Sequence, residues 1–201
     1  MELNNDIILP LKNQIFFLGG FQMLKKFFIA AVMSVFVLVG GQVNAMPYSE
    51  MFLGGFTVGS SYSAMKRVYG EPVQNEGHSE ANYSSHYGDT VKINFNNIVN
   101  RIQGIRVTAN NGWKTPSGLA VGDNISKALD ICGEPDYKKV GKYKTAYCYF
   151  HNMGGKYLDE YGFFILFNNE SGKILRLELD GGNTMSGFEQ DYQYYMKRMV
   201  E

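Results

Sequence analysis

Two stretches decide the fold: GSSYSAMKRVYGEP, residues 59–72, and GDNISKALDICGEP, residues 122–135. In each, two glycines eleven residues apart bracket a helix-sized segment, and Glu-Pro follows the second glycine. The copies are offset by 63 residues, from Gly59 to Gly122. A second echo sets Phe95-Asn96-Asn97 against Phe167-Asn168-Asn169, offset by 72. Self-similarity at a nearly fixed period predicts two copies of one supersecondary unit.

Each bracketed segment reads as a short helix. Ser61 and Asn124 stand where an N-cap side chain takes up free backbone N–H groups. Met65, Val68 and Tyr69 in the first copy, and Ala128, Ile131 and Cys132 in the second, give one apolar stripe. Gly70 and Gly133 supply a stop that tolerates positive φ, and Pro72 and Pro135 forbid continuation. Neither glycine is followed by the Lys and Ser/Thr of a phosphate-binding loop.

Strands follow each helix. Thr90 to Phe95 alternates with period two, Val91, Ile93 and Phe95 to one side, as a half-buried antiparallel strand does. Gly88-Asp89 is a hairpin signal with Ala81 to Tyr87 as partner strand. Arg101 to Thr108 comes next, its alternation slipping near Gly104 as at a bulge. The second copy supplies Tyr143–Phe150, Gly162–Phe167 and Lys173–Leu179, with Leu175, Leu177 and Leu179 expected inward and Arg176 and Glu178 outward. About nine extra residues fall between the second helix and Phe167, most simply in the loop His151–Tyr161. That loop is either a tolerated insertion or a binding element on a rigid sheet. The tail opens with Ser186-x-x-Glu189, a capping box, and continues Phe188, Tyr192, Tyr195, Met199 as an amphipathic helix.

The expected fold is therefore α+β: two tandem repeats, each a short helical segment followed by an antiparallel sheet of three to four strands, plus a C-terminal amphipathic helix. Residues 46–115 form the first repeat, 116–182 the second and 183–201 the helix. Residues 23–45 read as a secretory signal. Lys25 and Lys26 are its basic region, Phe27–Val39 its apolar run, and Val43-Asn44-Ala45 its cleavage site. The run is short of the roughly 20 residues of a spanning helix. Residues 1–22 read as an upstream mis-called start. The expected product is free in the periplasm or secreted, with no stable membrane anchor after cleavage.

Removing 1–45 leaves sixteen basic and seventeen acidic residues. A net charge near −1 argues against nucleic acid and against a polybasic membrane role. Cys132 and Cys148 are the only cysteines. In an exported chain the default is a disulfide; their spacing fits neither a redox CxxC nor a metal pair. A bond closing about sixteen residues would contribute roughly 3 kcal/mol.

No catalytic set emerges. The three histidines, 78, 86 and 151, have no zinc spacing, and no G-x-S-x-G occurs. No cofactor and no metal is expected. All fourteen tyrosines follow Ala45. Tyr83, His86, Tyr87, Tyr147, Tyr149 and His151 cluster near strand ends as a candidate binding patch, since tyrosine gives rigid area with a polar tip. Lys156 and Asp159 on the long loop extend it. Trp113 in the linker either caps the core between the repeats or anchors a partner.

The pattern Gly59-x-Ser61…Gly70-x-Pro72, repeated as Gly122-x-Asn124…Gly133-x-Pro135, resembles the helix motif of the beta-lactamase-inhibitor-protein-like fold. It is also similar to the helix of the SmpA/OmlA outer-membrane-assembly lipoproteins, which carry one such unit and a lipidated cysteine that this chain lacks. The resemblance implies two helix-plus-sheet repeats, a cystine joining helix end to strand at Cys132 and Cys148, and Asp89 presented on a hairpin to a target enzyme. The function so implied is non-enzymatic binding of another protein, an exported enzyme. The alternatives are an envelope assembly or maintenance component without a lipid anchor, or a small-molecule-binding or enzymatic periplasmic protein. Homodimerisation through an edge strand or the tail helix stays open.

Overall fold

A computed structural model of the protein describes residues 46–152, 160–181 and 188–201. The signal region and its cleavage site, Lys156 and Asp159, and Ser186 of the capping box lie outside the described residues. The described residues all belong to one compact unit.

A 3-10 turn at Tyr48–Glu50 leads to helix α1 (Tyr62–Tyr69) and strands β1 (Gln74–Gly77), β2 (Asn82–Tyr87), β3 (Val91–Asn96) and β4 (Arg101–Val107). Helix α2 (Ile125–Cys132) precedes β5 (Tyr137–Val140), β6 (Lys144–Asn152), β7 (Glu160–Asn168) and β8 (Ile174–Gly181), and helix α3 (Phe188–Val200) closes the chain. The strands form one eight-stranded sheet in the order β1-β2-β3-β4-β8-β7-β6-β5, every pair antiparallel. This corrects the expected fold class. The chain is not two tandem helix-plus-sheet repeats. Strand β4 pairs with β8, Gly104 opposite Asp180 and Val107 opposite Leu177, so strands from both halves of the chain share one backbone ladder.

The helix caps follow the sequence. Ser61 accepts from the Ala64 N–H and Asn124 from the Ser126 N–H, while Gly70 and Gly133 end the helices at φ 82 and 73. A side chain at that φ would cost about 1 kcal/mol or more. Tyr62 and Met65 are the buried residues of α1, while Val68 is 67% and Tyr69 38% exposed. Val68 was expected inward and stands in solvent instead; Tyr69 lies at the margin of the core, stacking on Trp113 at 4.4 Å and donating its hydroxyl to the Gly54 carbonyl.

One face of the sheet carries Val91, Ile93, Phe95, Ile105, Tyr149, Ile165, Leu177 and Leu179, and buries them against α1 and α2. Alternation sends the intervening residues to the second face. On its β5–β8 half these are Ala146, Cys148, Phe164 and Leu166, covered by Tyr192, Met196, Met199 and Val200 of α3. Two bulges adjust the register. Asn94 pairs with Gly104 and Phe95 with Ile102, which makes Gln103 the extra residue, close to the slip read at Gly104. Leu166 pairs with Arg176 and Phe167 with Ile174, which makes Leu175 the extra residue. Leu175 is therefore exposed and Ile174 takes the inward place, a correction to the expected Leu175-Leu177-Leu179 series. Glu178 faces the second side as expected, yet is buried, because α3 lies over it.

The expected disulfide is also corrected: Cys132 and Cys148 are free, buried thiols. Cys132 sits in the helix-side core, while Cys148 points into the α3-side core. The sheet lies between them, whereas a bridge needs Cβ atoms about 3.8 Å apart. The extra residues of the second half are partly accounted for by longer strands, nine residues in β6 and β7 against six in β2 and β3.

Candidate functional site

The turn between β3 and β4 is held more tightly than a surface turn needs to be. The Asn96 side-chain oxygen accepts from the backbone N–H groups of Ile98 (3.0 Å) and Val99 (3.2 Å). The Asn97 N–H is taken by the Ala81 carbonyl at 2.7 Å. Asn100 adopts φ 53, a conformation asparagine tolerates better than most residues. Its side chain accepts from the Ser63 N–H and donates to the Ser61 and Ser63 hydroxyls, tying the turn to the start of α1. Arg101 adds a bond to the Gly59 carbonyl at 2.8 Å.

On this fixed frame two adjacent aliphatic side chains stand in solvent: Ile98 is 74% and Val99 60% exposed. The β7–β8 turn shows that the frame does not require them. There Asn168 accepts from the N–H groups of Glu170 and Ser171, Gly172 takes the positive φ, and the tip is polar. The same local construction thus carries Ile-Val in one place and Glu-Ser in the other.

The residues singled out from sequence do not share one surface. Tyr147, Tyr149 and Trp113 are core. Tyr149 donates its hydroxyl to the Gly133 carbonyl at 3.0 Å, and burial, with the neighbouring Cys132 thiol adding, raises its pKa. Tyr83 and Tyr87 lean half-buried on the same core, Tyr87 reaching the Gly70 carbonyl at 3.2 Å. The expectation of a surface Tyr/His patch is corrected for Tyr147 and Tyr149, whose inward strand positions place them in the core, and of its two expected roles Trp113 takes the core-capping one. His86 faces the second side, 3.5 Å from Glu76. His151 faces the first, its ring 4.6 Å from that of Tyr48 and tilted to it by 31°, its pKa lowered by burial. Asp89 is exposed in the β2–β3 turn, at the end of β3 away from Ile98.

The second face carries the densest charge, at the β4–β8 seam. Arg106 donates from Nε and Nη2 to Glu178 Oε1 at 3.0 and 2.8 Å, and from Nη2 to the Tyr195 hydroxyl at 3.0 Å. Arg176 stands 3.3 Å from the other Glu178 oxygen. Burial works against the Arg106 charge, but Glu178 more than offsets it and raises the pKa. Two residues along, Asp180 is pushed up to about 7, first by burial and then by Glu178, with Arg106 opposing. This network docks α3 on the sheet, and Tyr192 completes it by donating to the Asp180 carbonyl at 3.0 Å.

Among the described residues, the nearest approach to a nucleophile and base is His78 Nε2 at 2.6 Å from Ser84 Oγ. Ser84 is fully buried and its hydroxyl proton goes to Asn94 Oδ1 at 2.8 Å. His78 is then the donor to Ser84, not the acceptor a general base must be.

Sequence reading missed Ile98 and Val99, although the signal was present. The Phe-Asn-Asn echo marks both turns, and the residues that follow, Ile98-Val99 against Glu170-Ser171, are where the copies differ in polarity.

No protein-family model matches the chain, and no curated protein matches it. Among solved structures it is similar to a cysteine-rich secretory protein from Staphylococcus aureus subsp. aureus Mu50, at TM-score 0.49 and 11% identity, over 73% of this chain and 50% of that one. It is also similar to an extracellular protein containing a SCP domain from Bacillus anthracis str. Ames, at TM-score 0.43 and 8% identity, over 81% of this chain and 52% of that one. The chain spans about half the length of either. The family expectation is corrected accordingly. Neither match is the beta-lactamase inhibitor protein or an SmpA/OmlA lipoprotein, and the roles that resemblance implied for Asp89 and for a Cys132–Cys148 cystine fall with it. At these TM-scores the likeness carries nothing about activity.

Proposed function

We propose that this chain is an exported, non-enzymatic protein-binding module that meets its partner through the β3–β4 turn. Export is the coarser half of this reading and rests on the Lys25-Lys26 to Ala45 pattern. The finer half is carried by one observation. Ile98 and Val99 are held in solvent on a turn whose backbone is already fixed by Asn96 and Asn100, while the equivalent turn does without apolar residues.

Exposed aliphatic side chains gain free energy only when something covers them, at about 25 cal/mol per Å² of area removed from water. A pre-fixed turn avoids most of the ordering cost, about 0.5–1.5 kcal/mol per immobilised side chain, that binding otherwise incurs. Ile98 and Val99 would act as the anchor, with Asn97 and Arg101 as the polar rim.

The test is paired affinity capture from exported fractions with the wild-type protein and with Ile98→Ser/Val99→Ser. A protein retained by the first and lost from the second, with melting temperatures equal, supports the reading. Identical retained sets, or none, count against it.

A further inference from the structure

The near-zero net charge hides an uneven distribution, in which six cations share one end of the sheet with the carboxylates of Glu170 and Glu201. Lys138, Lys139, Lys142, Lys144, Lys197 and Arg198 are six of the sixteen basic residues after Ala45, and all lie at one end of the sheet. The first four belong to β5, β6 and the turn joining them. The other two are in the last turn of α3, whose Val200 abuts that turn so closely that a Cβ on Gly141 would stand 2.7 Å from the Val200 carbonyl. None of the six pairs with a carboxylate among the described residues, whereas Lys66, Lys92, Arg106, Lys127 and Arg176 all do.

Apolar side chains stand among these cations. Val140 is 61%, Tyr143 64% and Tyr194 65% exposed. Lys142 Nζ lies over the Tyr143 ring at 4.9 Å, and Tyr194 shares a helix stripe with Lys197 and Arg198, three and four residues on. The turn is rigid: Asn169 donates to the Gly141 carbonyl and accepts from the Thr145 hydroxyl.

Structural roles account for part of this. Lysines on an edge strand such as β5 discourage strand addition, and cations in a last helical turn favour the helix dipole. Neither role explains Val140, Tyr143 and Tyr194, nor Lys142 in the turn. A soluble polyanion would use the cations but gain nothing from the apolar groups. An anionic bilayer uses both, since tyrosine seats at the headgroup level while lysine stems lie along apolar surface with their charges outward. We infer that the β5–β6 turn and the C-terminal end of α3 form a docking surface for an anionic lipid membrane.

The inference is independent of the partner-binding turn, which lies at the opposite end of the strands. Asn169 of the β7–β8 turn donates its backbone N–H to the Tyr143 carbonyl, so the basic end is where β8 begins, while Arg101 starts β4 beside the end of β8. A molecule docked at its basic end would hold Ile98 and Val99 away from the lipid.

The test is vesicle co-sedimentation with residues 46–201, the compact unit, because the apolar run 27–39 would bind any bilayer. The probes are equimolar phosphatidylglycerol–phosphatidylcholine vesicles, phosphatidylcholine vesicles and heparin. Binding is expected to the anionic vesicles alone among lipids, and to be lost in about 1 M salt, where the screening length falls to about 3 Å. Lys139→Gln/Lys142→Gln should weaken it about 25-fold, at roughly fivefold per cation. Tyr143→Ser should weaken vesicle binding while leaving heparin retention unchanged. Four results would overturn the inference: no binding to anionic vesicles, binding unaffected by salt or by the lysine variants, heparin retention without vesicle binding, or vesicle binding indifferent to Tyr143→Ser.

Discussion

Cys132 and Cys148 lie on opposite sides of one sheet, Cys132 at the end of α2 in the helix-side core and Cys148 on β6 pointing toward α3. Burial pushes the Cys132 thiol up to about 12 and raises Cys148 as well, so neither is a thiolate at neutral pH. Thiol titration should find almost no reactive thiol in the native protein and two after denaturation without reductant. A denatured, unreduced protein with no titratable thiol would contradict the arrangement.

The β3–β4 turn depends on Asn100. Alanine there loses the bonds to Ser61 and Ser63 and takes on the φ 53 conformation that its Cβ disfavours. The expected loss is about 1–3 kcal/mol in urea unfolding. Asn100→Gly should lose less, since it keeps the conformational freedom and forfeits only the bonds. Equal losses would show that the backbone conformation is not what Asn100 supplies.

Asp180 gives stability a distinct pH dependence. Its folded pKa is raised from 3.8 to about 7, so the folded state holds a proton that the unfolded chain has released. Its contribution is fully present below about pH 4 and lost as pH rises through about 7. Asp180→Asn should flatten that part of the profile. Relative to wild type it should be more stable at pH 8 than at pH 4, by about 2 kcal/mol after discounting for partial exposure to solvent. An unchanged difference between wild type and variant across this window would show that Asp180 ionises normally.

Arg106 balances the buried Glu178 and holds the hydroxyl of Tyr195. Arg106→Met leaves Glu178 with Arg176 alone and is expected to cost about 3 kcal/mol. Tyr195→Phe should cost about 1 kcal/mol. The double variant should cost less than the sum, because both changes break one network. Strict additivity in denaturant unfolding would mean that α3 docks without it.

Local structure was legible wherever one residue type suffices to set it. Ser61 and Asn124, Gly70 and Gly133, and the alternation of Val91, Ile93 and Phe95 all act as their spacing predicts. What pairs with what was not legible. The echo of two glycine pairs predicts two units, but nothing in β4 or β8 announces that Gly104 will lie opposite Asp180 and fuse the strands into one sheet. The edge strands β1 and β5 are four residues each, too short for alternation to register. The cysteine pair was misread because face is set by register: one residue along from Tyr149 puts Cys148 on the far side of the sheet. Tyr147 and Tyr149 read as a binding patch because aromatic content alone does not separate core from contact surface, and for the same reason Trp113 was left between core cap and partner anchor.

Site-specific photo-cross-linking would show whether Ile98 and Val99 contact a partner. A photoreactive residue would be placed at position 98 and, as a control on a turn of the same construction, at position 170, in the exported protein within its own cells. A discrete protein adduct is expected from position 98 and none from position 170. No adduct at 98, or the same adducts from both positions, would contradict it.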